Sequence, residues 1–200
     1  MDSVGVFLFN DVELLDFAGP YEVFSKASDS GGRRLFNVFT VSQVGGEVRS
    51  ANGLRVNSDH SFAVHPAIDI LGIPGGVGTR SEVANAETLA WVGGVYESSK
   101  LTMTVCSGAL LPAKLGLLNG LESTTHHDVI AYLRAVAPHT IVRGDKRFVD
   151  NGKIMTAGGI SAGIDLALHV VGKLHGRSTA DNARIYMEYG NWRDAVPEGD

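Results

Sequence analysis

Cysteine occurs once in this chain, at Cys106, between the short apolar and β-branched run Leu101 to Val105 and a helical-looking run from Ala109 to Leu118. A buried strand that turns straight into a helix leaves its junction residue at the carboxyl end of a sheet, where open α/β sheets place their ligands. The unpaired N–H groups and positive dipole end of the following helix point at such a sulfur, which predicts a thiol pKa below the free value of about 8.5 and a reactive thiolate. The alternative is an inert, small buried hydrophobe, a common fate of free cysteine. As the sole cysteine it has no partner for an internal disulfide.

Two further strand ends carry groups that could act on that sulfur. Asp16 lies inside the apolar stretch Leu14-Leu15-Asp16-Phe17-Ala18, so its carboxylate either sits poorly solvated in a cleft, able to exchange a proton with Cys106, or caps a helix that begins near Pro20. Pro74-Gly75-Gly76-Val77-Gly78 closes another apolar run. It matches neither the dinucleotide fingerprint nor the phosphate-binding loop with its lysine, which leaves a tight turn or an oxyanion hole made from the N–H groups of Gly76 and Ser107. His126 and His127 suit a Cys–His pairing or metal ligation, but neighbours on a strand point to opposite faces and no third ligand is evident, so no metal is expected. The Cys–His–Glu set of a glutamine amidotransferase, with its H-x-E pair, is absent.

The elements that must position these groups alternate along the chain. Strands are expected at Val4 to Phe9, Leu35 to Val41, Ala67 to Ile73 and Leu101 to Val105, with a possible short one from Glu122 and a hairpin-like pair across Asp150-Asn151-Gly152. Helices are expected from Leu14 to Ser28, with a break or kink at Pro20, and at Ala84 to Ser99, Ala109 to Leu118, Val129 to Val136, Ser161 to Leu174 and Arg177 to Tyr189. Asn52-Gly53 marks a hairpin outside the main sheet. The alternation predicts a doubly wound, mainly parallel α/β sandwich of the flavodoxin-like kind, one domain over residues 1–200, with 196–200 as a tail.

Bulk composition narrows the partners. Seventeen Lys and Arg against 22 Asp and Glu give a net charge of -5, without the basic cluster that nucleic-acid binding requires. No apolar run reaches the ~20 residues that span a bilayer, the amino terminus lacks a basic lead and an apolar segment of signal length, and a single cysteine suits a reducing cytoplasm.

As a set, Val12-Glu13-Leu14-Leu15-Asp16-Phe17-Ala18-Gly19-Pro20, Ile73-Pro74-Gly75-Gly76, Val105-Cys106-Ser107-Gly108-Ala109, Thr124-Thr125-His126 and Ala157-Gly158-Gly159-Ile160-Ser161 resemble the ThiJ/PfpI superfamily, related in fold to class I glutamine amidotransferases, over nearly the whole chain. Within it the chain is similar to the isonitrile-hydrating branch and to the ligand-sensing domains of AraC-type regulators. The resemblance implies a nucleophile at Cys106 and an acidic partner at Asp16, where many members carry glutamate, with Ser107 in place of that branch's threonine. It implies a small-molecule substrate whose polar atoms meet Gly75, Gly76, Ser107 and His126 and whose alkyl part meets Ile160 and Phe17. No cofactor is implied, and a homodimer is. The remaining options are a glyoxalase- or deglycase-like enzyme and a non-catalytic redox or ligand sensor; the chain ends too soon after the Ser161 helix for an added helix-turn-helix unit.

Overall fold

The computed structural model describes residues 1–195, so the expected tail at 196–200 lies outside the described residues. Eleven strands and seven helices follow in the order β1 (Asp2–Phe7), α1 (Leu14–Lys26), β2 (Phe36–Ser42), β3 (Gly46–Arg49), β4 (Arg55–Ser58), β5 (His60–Ser61), β6 (Ile70–Ile73), α2 (Thr79–Glu82), α3 (Ala86–Ser98), β7 (Leu101–Val105), α4 (Leu110–Lys114), β8 (Glu122–Ser123), α5 (Ile130–Val136), β9 (Ile141–Val142), β10 (Phe148–Asp150), β11 (Ile154–Ala157), α6 (Ala162–His175) and α7 (Arg177–Tyr186). Seven strands form the main sheet in the order β10-β11-β7-β6-β1-β2-β5. Every pairing in it is parallel except β10 against β11.

The parallel strands are continuous apolar runs because helices cover the sheet: β6 and β7 are buried at every position. Helices α1, α6 and α7 pack on one another, and α4 packs on both α3 and α5. The sheet's chain order reverses between β1 and β6, since β2 and β5 continue outward from one and β7 and β11 from the other. The loops leaving β1, β6 and β7 therefore converge at the switch point, and these three segments carry Asp16, Gly75 with Gly76, and Cys106.

Several expected boundaries shift. Pro20 lies inside α1 and does not end it. Its buried ring packs beside Gly163, where an added Cβ would come within 3.3 Å of Pro20 Cγ, and this tertiary contact offsets the missing backbone bond. The helix after Cys106 stops at Lys114, because Gly116 turns into the left-handed region at φ 74°. The last helix stops at Tyr186, before Glu188 at φ 48°. The hairpin-like pair across Asp150-Asn151-Gly152 is β10 with β11, and upstream of it β9 pairs β8 in a separate two-stranded sheet. The Asn52-Gly53 hairpin is the β3–β4 pair, its turn made by Gly53 at φ 90°, and Asn85 caps α3 by accepting from the N–H groups of Glu87 and Thr88. Among the described residues, no helix is long and apolar enough to cross a membrane.

Candidate active site

Cys106 occupies the first position of a 3₁₀ turn, Cys106–Ala109, between β7 and α4. Its φ is 57°, a conformation rare for a residue with a side chain, and both of its peptide groups are pinned there. The N–H donates to the Gly158 carbonyl at 2.9 Å, and the carbonyl accepts from Thr125 Oγ1 at 2.7 Å. Gly108 permits this elbow, because a Cβ there would lie 2.3 Å from the Ile73 carbonyl oxygen. The result is a sulfur-bearing residue with only 8 % of its surface exposed.

Asp16 stands in the first turn of α1 and is 2 % exposed. It does not cap the helix: the cap position is Glu13, and Asp16 Oδ2 accepts instead from the Gly75 N–H at 2.8 Å across the switch point. Oδ1 is buried without a hydrogen-bond partner. Burial pushes this carboxyl up to about 7 and the charge of Glu13 adds to the rise, while the Gly75 N–H, the Cys106 thiol and the Ile160 N–H oppose it. Ile160, whose N–H is one of these opposing groups, sits at φ 53°, outside the range natural to a β-branched residue.

The surroundings of the sulfur work against the expected thiolate. Burial and, after it, the negative charge of Asp16 push the Cys106 thiol up to about 12, against the pull of the Ser107 N–H and hydroxyl. A 3₁₀ turn followed by a five-residue helix supplies too little dipole to reverse that. Burial thus raises both groups, and a hydrogen bond between the Cys106 and Asp16 side chains puts them within reach of a shared proton.

Of the two N–H groups expected to make an oxyanion hole, that of Gly76 is already engaged. The Gly76 N–H donates to Ser107 Oγ at 3.0 Å, Ser107 Oγ donates to the Gly76 carbonyl at 3.1 Å, and Thr79 Oγ1 donates to that same carbonyl at 2.7 Å. With the Gly75 N–H bound to Asp16, both glycine donors are occupied. The two glycines serve the fold: a Cβ on Gly75 would meet Ser107 N at 2.6 Å, and one on Gly76, at φ 127°, would meet the Asp11 carbonyl oxygen at 2.4 Å. Gly76→Ala is therefore expected to lower stability by roughly 2 kcal/mol or more, from strain at a positive φ and backbone collision. Urea unfolding that leaves the midpoint unchanged would contradict this packing.

His126 and Ile160, 37 % exposed, line a cavity of about 430 Å³ together with Thr125, Gly158 and Gly159. Cys106 and Asp16 do not line it, but Thr125 and Gly158 are the residues that bond the Cys106 peptide groups. Gly159 lies flat on His126, since a Cβ there would fall 2.2 Å from the ring. The two histidines do not diverge as they would on a strand. They begin a 3₁₀ turn with ring centroids 4.1 Å apart, and Asp128 completes a set of three ligand atoms within 4.8 Å of one another. His126 Nδ1 accepts the Asp128 N–H at 3.2 Å as the cap of that turn. Thr79 is the site residue that sequence patterns miss, because its hydroxyl reaches Ser107 Oγ at 3.1 Å, 28 residues along the chain.

The chain as a whole has relatives among known proteins. The DJ-1/PfpI family model matches residues 2–173, and isonitrile hydratase of Pseudomonas putida is 32% identical over 94% of this chain and 78% of that protein. The chain belongs to the DJ-1/PfpI family. The crystal structure of a ThiJ/PfpI family protein from Pseudomonas syringae superposes with a TM-score of 0.84 at 26% identity, covering 100% of this chain and 78% of that one. Drosophila melanogaster DJ-1beta shares the fold, with a TM-score of 0.81 at 19% identity. This DJ-1/PfpI chain is also 27% identical, over 88% of its length, to the HTH-type transcriptional regulator GbdR of Pseudomonas aeruginosa, of which it spans 47%.

Proposed function

We propose that this DJ-1/PfpI protein hydrates a small isonitrile to an N-substituted formamide, with Cys106 as nucleophile and Asp16 as proton carrier. The observation that carries the reading is the buried Asp16 carboxyl, held near neutrality beside a protonated, nearly enclosed thiol. An isonitrile carbon adds a nucleophile and a proton at the same atom, which is what a thiol and acid sharing one proton can deliver together. Its linear head is also slim enough for a sulfur with so little surface. The hydratase of Pseudomonas putida is the relative whose name fits this chemistry.

In the first half, ionised Asp16 takes the Cys106 proton as sulfur bonds to the isonitrile carbon, then returns it to that carbon, leaving a thioimidate, S–CH=N–R. In the second half, Asp16 removes a proton from water as its oxygen adds to the same carbon and the nitrogen is protonated. Collapse of the tetrahedral adduct breaks the C–S bond, the sulfur regains its proton, and R–NH–CHO leaves. Water is consumed and no redox change occurs. Ser107, Gly75 and Gly76 hold sulfur and acid in register, and Ile160 and His126 border the approach used by the substituent on nitrogen.

Incubation with cyclohexyl isocyanide, followed by NMR of the formyl proton, tests the reading: N-cyclohexylformamide is expected, and no formamide above the enzyme-free rate rejects it. For this uncharged substrate kcat/KM is expected to rise about tenfold per pH unit up to about pH 7, as Asp16 ionises, and then to level off. A profile flat from pH 5 to 8 would remove Asp16 from the role of base. A ligand-sensing module is the second reading, favoured by the similarity to GbdR; tight binding of isonitrile without turnover distinguishes it.

A further inference from the structure

Away from Cys106, a cleft of about 610 Å³ opens between α2, α3, α4 and α5, within the size range of small-molecule sites. Val83, Leu89 and Val136 give it apolar walls, and Tyr132 and Val136 leave 46% and 38% of their surface exposed there. Two cations, Arg80 and Lys114, stand among these residues, and no Asp or Glu lines the cleft. In a chain of net charge -5 that is an unusual local balance. Lys26, Lys100, Arg143 and Lys173 each lie within 4.0 Å of a carboxylate. Among the described residues no such ion pair, and no side-chain hydrogen bond, engages Arg80 or Lys114. Apolar walls with two unpaired cations complement a ligand with a hydrocarbon tail and a single anionic head, for which the Arg80 guanidinium offers a bidentate fork.

We propose that this cleft binds one free amphipathic carboxylate, of the fatty-acid class, with its tail against Leu89 and Val136 and its head between Arg80 and Lys114. The cleft shares no lining residue with the cavity beside Ile160, so this site stands or falls apart from the hydratase reading. Calorimetric titration with octanoate below its micellar concentration tests it without reference to turnover. Saturable one-to-one binding is expected, at least tenfold weaker for acetate, which lacks the tail, and for octan-1-ol, which lacks the charge. The double reversal Arg80→Glu with Lys114→Glu is expected to weaken octanoate at least tenfold, while Arg134→Glu on the same α5, outside the lining, leaves it unchanged. No saturable heat, or binding indifferent to the double reversal, overturns the proposal. So does flotation with anionic phospholipid vesicles that the double reversal abolishes, which makes the face a membrane contact. Self-association in sedimentation that the double reversal abolishes also overturns it, because a second copy then fills the cleft.

Discussion

Cys106→Ala is expected to lower formamide production by at least about 10³-fold while leaving the fold intact, because the nucleophile is lost and only solvent water remains to attack. The substitution removes one sulfur from a buried position and keeps the Cβ that packs against Gly75. The peptide bonds to Gly158 and Thr125 do not depend on the side chain, so the elbow at φ 57° persists. The informative comparison is Cys106→Ser, which keeps a hydroxyl where the thiol was. An oxygen is a far weaker nucleophile beside a base of pKa about 7, and its turnover is expected to match that of the alanine variant. Formamide production by purified Cys106→Ala at more than a tenth of the unsubstituted rate would show that the sulfur forms no covalent intermediate.

Asp16→Asn is expected to move activity and stability in opposite directions. Without a group that takes and returns the proton, turnover should fall by about 10²- to 10⁴-fold. Stability follows from linkage. The folded carboxyl, at about 7, lies above its unfolded value of 3.8, so the native state retains a proton that the unfolded chain releases between those values. Its contribution is complete below the unfolded value and is lost as pH rises through about 7, a loss of up to about 4 kcal/mol at pH 8. Asparagine never ionises, and its Oδ1 can still accept the Gly75 N–H. The variant should therefore unfold at a higher temperature than the unsubstituted protein at pH 8, with the difference vanishing near pH 4. Equal gains at both pH values would mean that the ionised acid imposes no cost on the fold. The largest stability gain and a large activity loss thus come from one side chain, the expected trade where a strained, desolvated site performs the reaction.

What the sequence makes legible here is local. The apolar run before Cys106, the glycines after Ile73 and the isolated acid at position 16 each mark a strand end through composition alone, and the parallel sheet brings all three together. What it does not reveal depends on partners far along the chain. A free helix N-terminus predicts a low thiol pKa; burial, and after it the charge of the Asp16 carboxylate from α1, push it up instead, against a short α4. The Gly76 N–H looks available in isolation, yet the Ser107 hydroxyl accepts it once β6 and β7 are side by side. The parting of His126 and His127 presumes a strand, and a 3₁₀ turn draws the rings together instead. Pro20 signals a break that the contact with α6 overrides.

The main sheet ends in very short strands, the two residues of β5 on one side and the three of β10 on the other, the latter running antiparallel to the rest. At the β10 border a neighbouring molecule finds only a three-residue ladder to extend, whereas β5 covers only Val41 and Ser42 of β2 on the other side. The hydrophobic central strands β6 and β7 are paired along both sides, so the most apolar segments of the sheet offer strand addition no free edge.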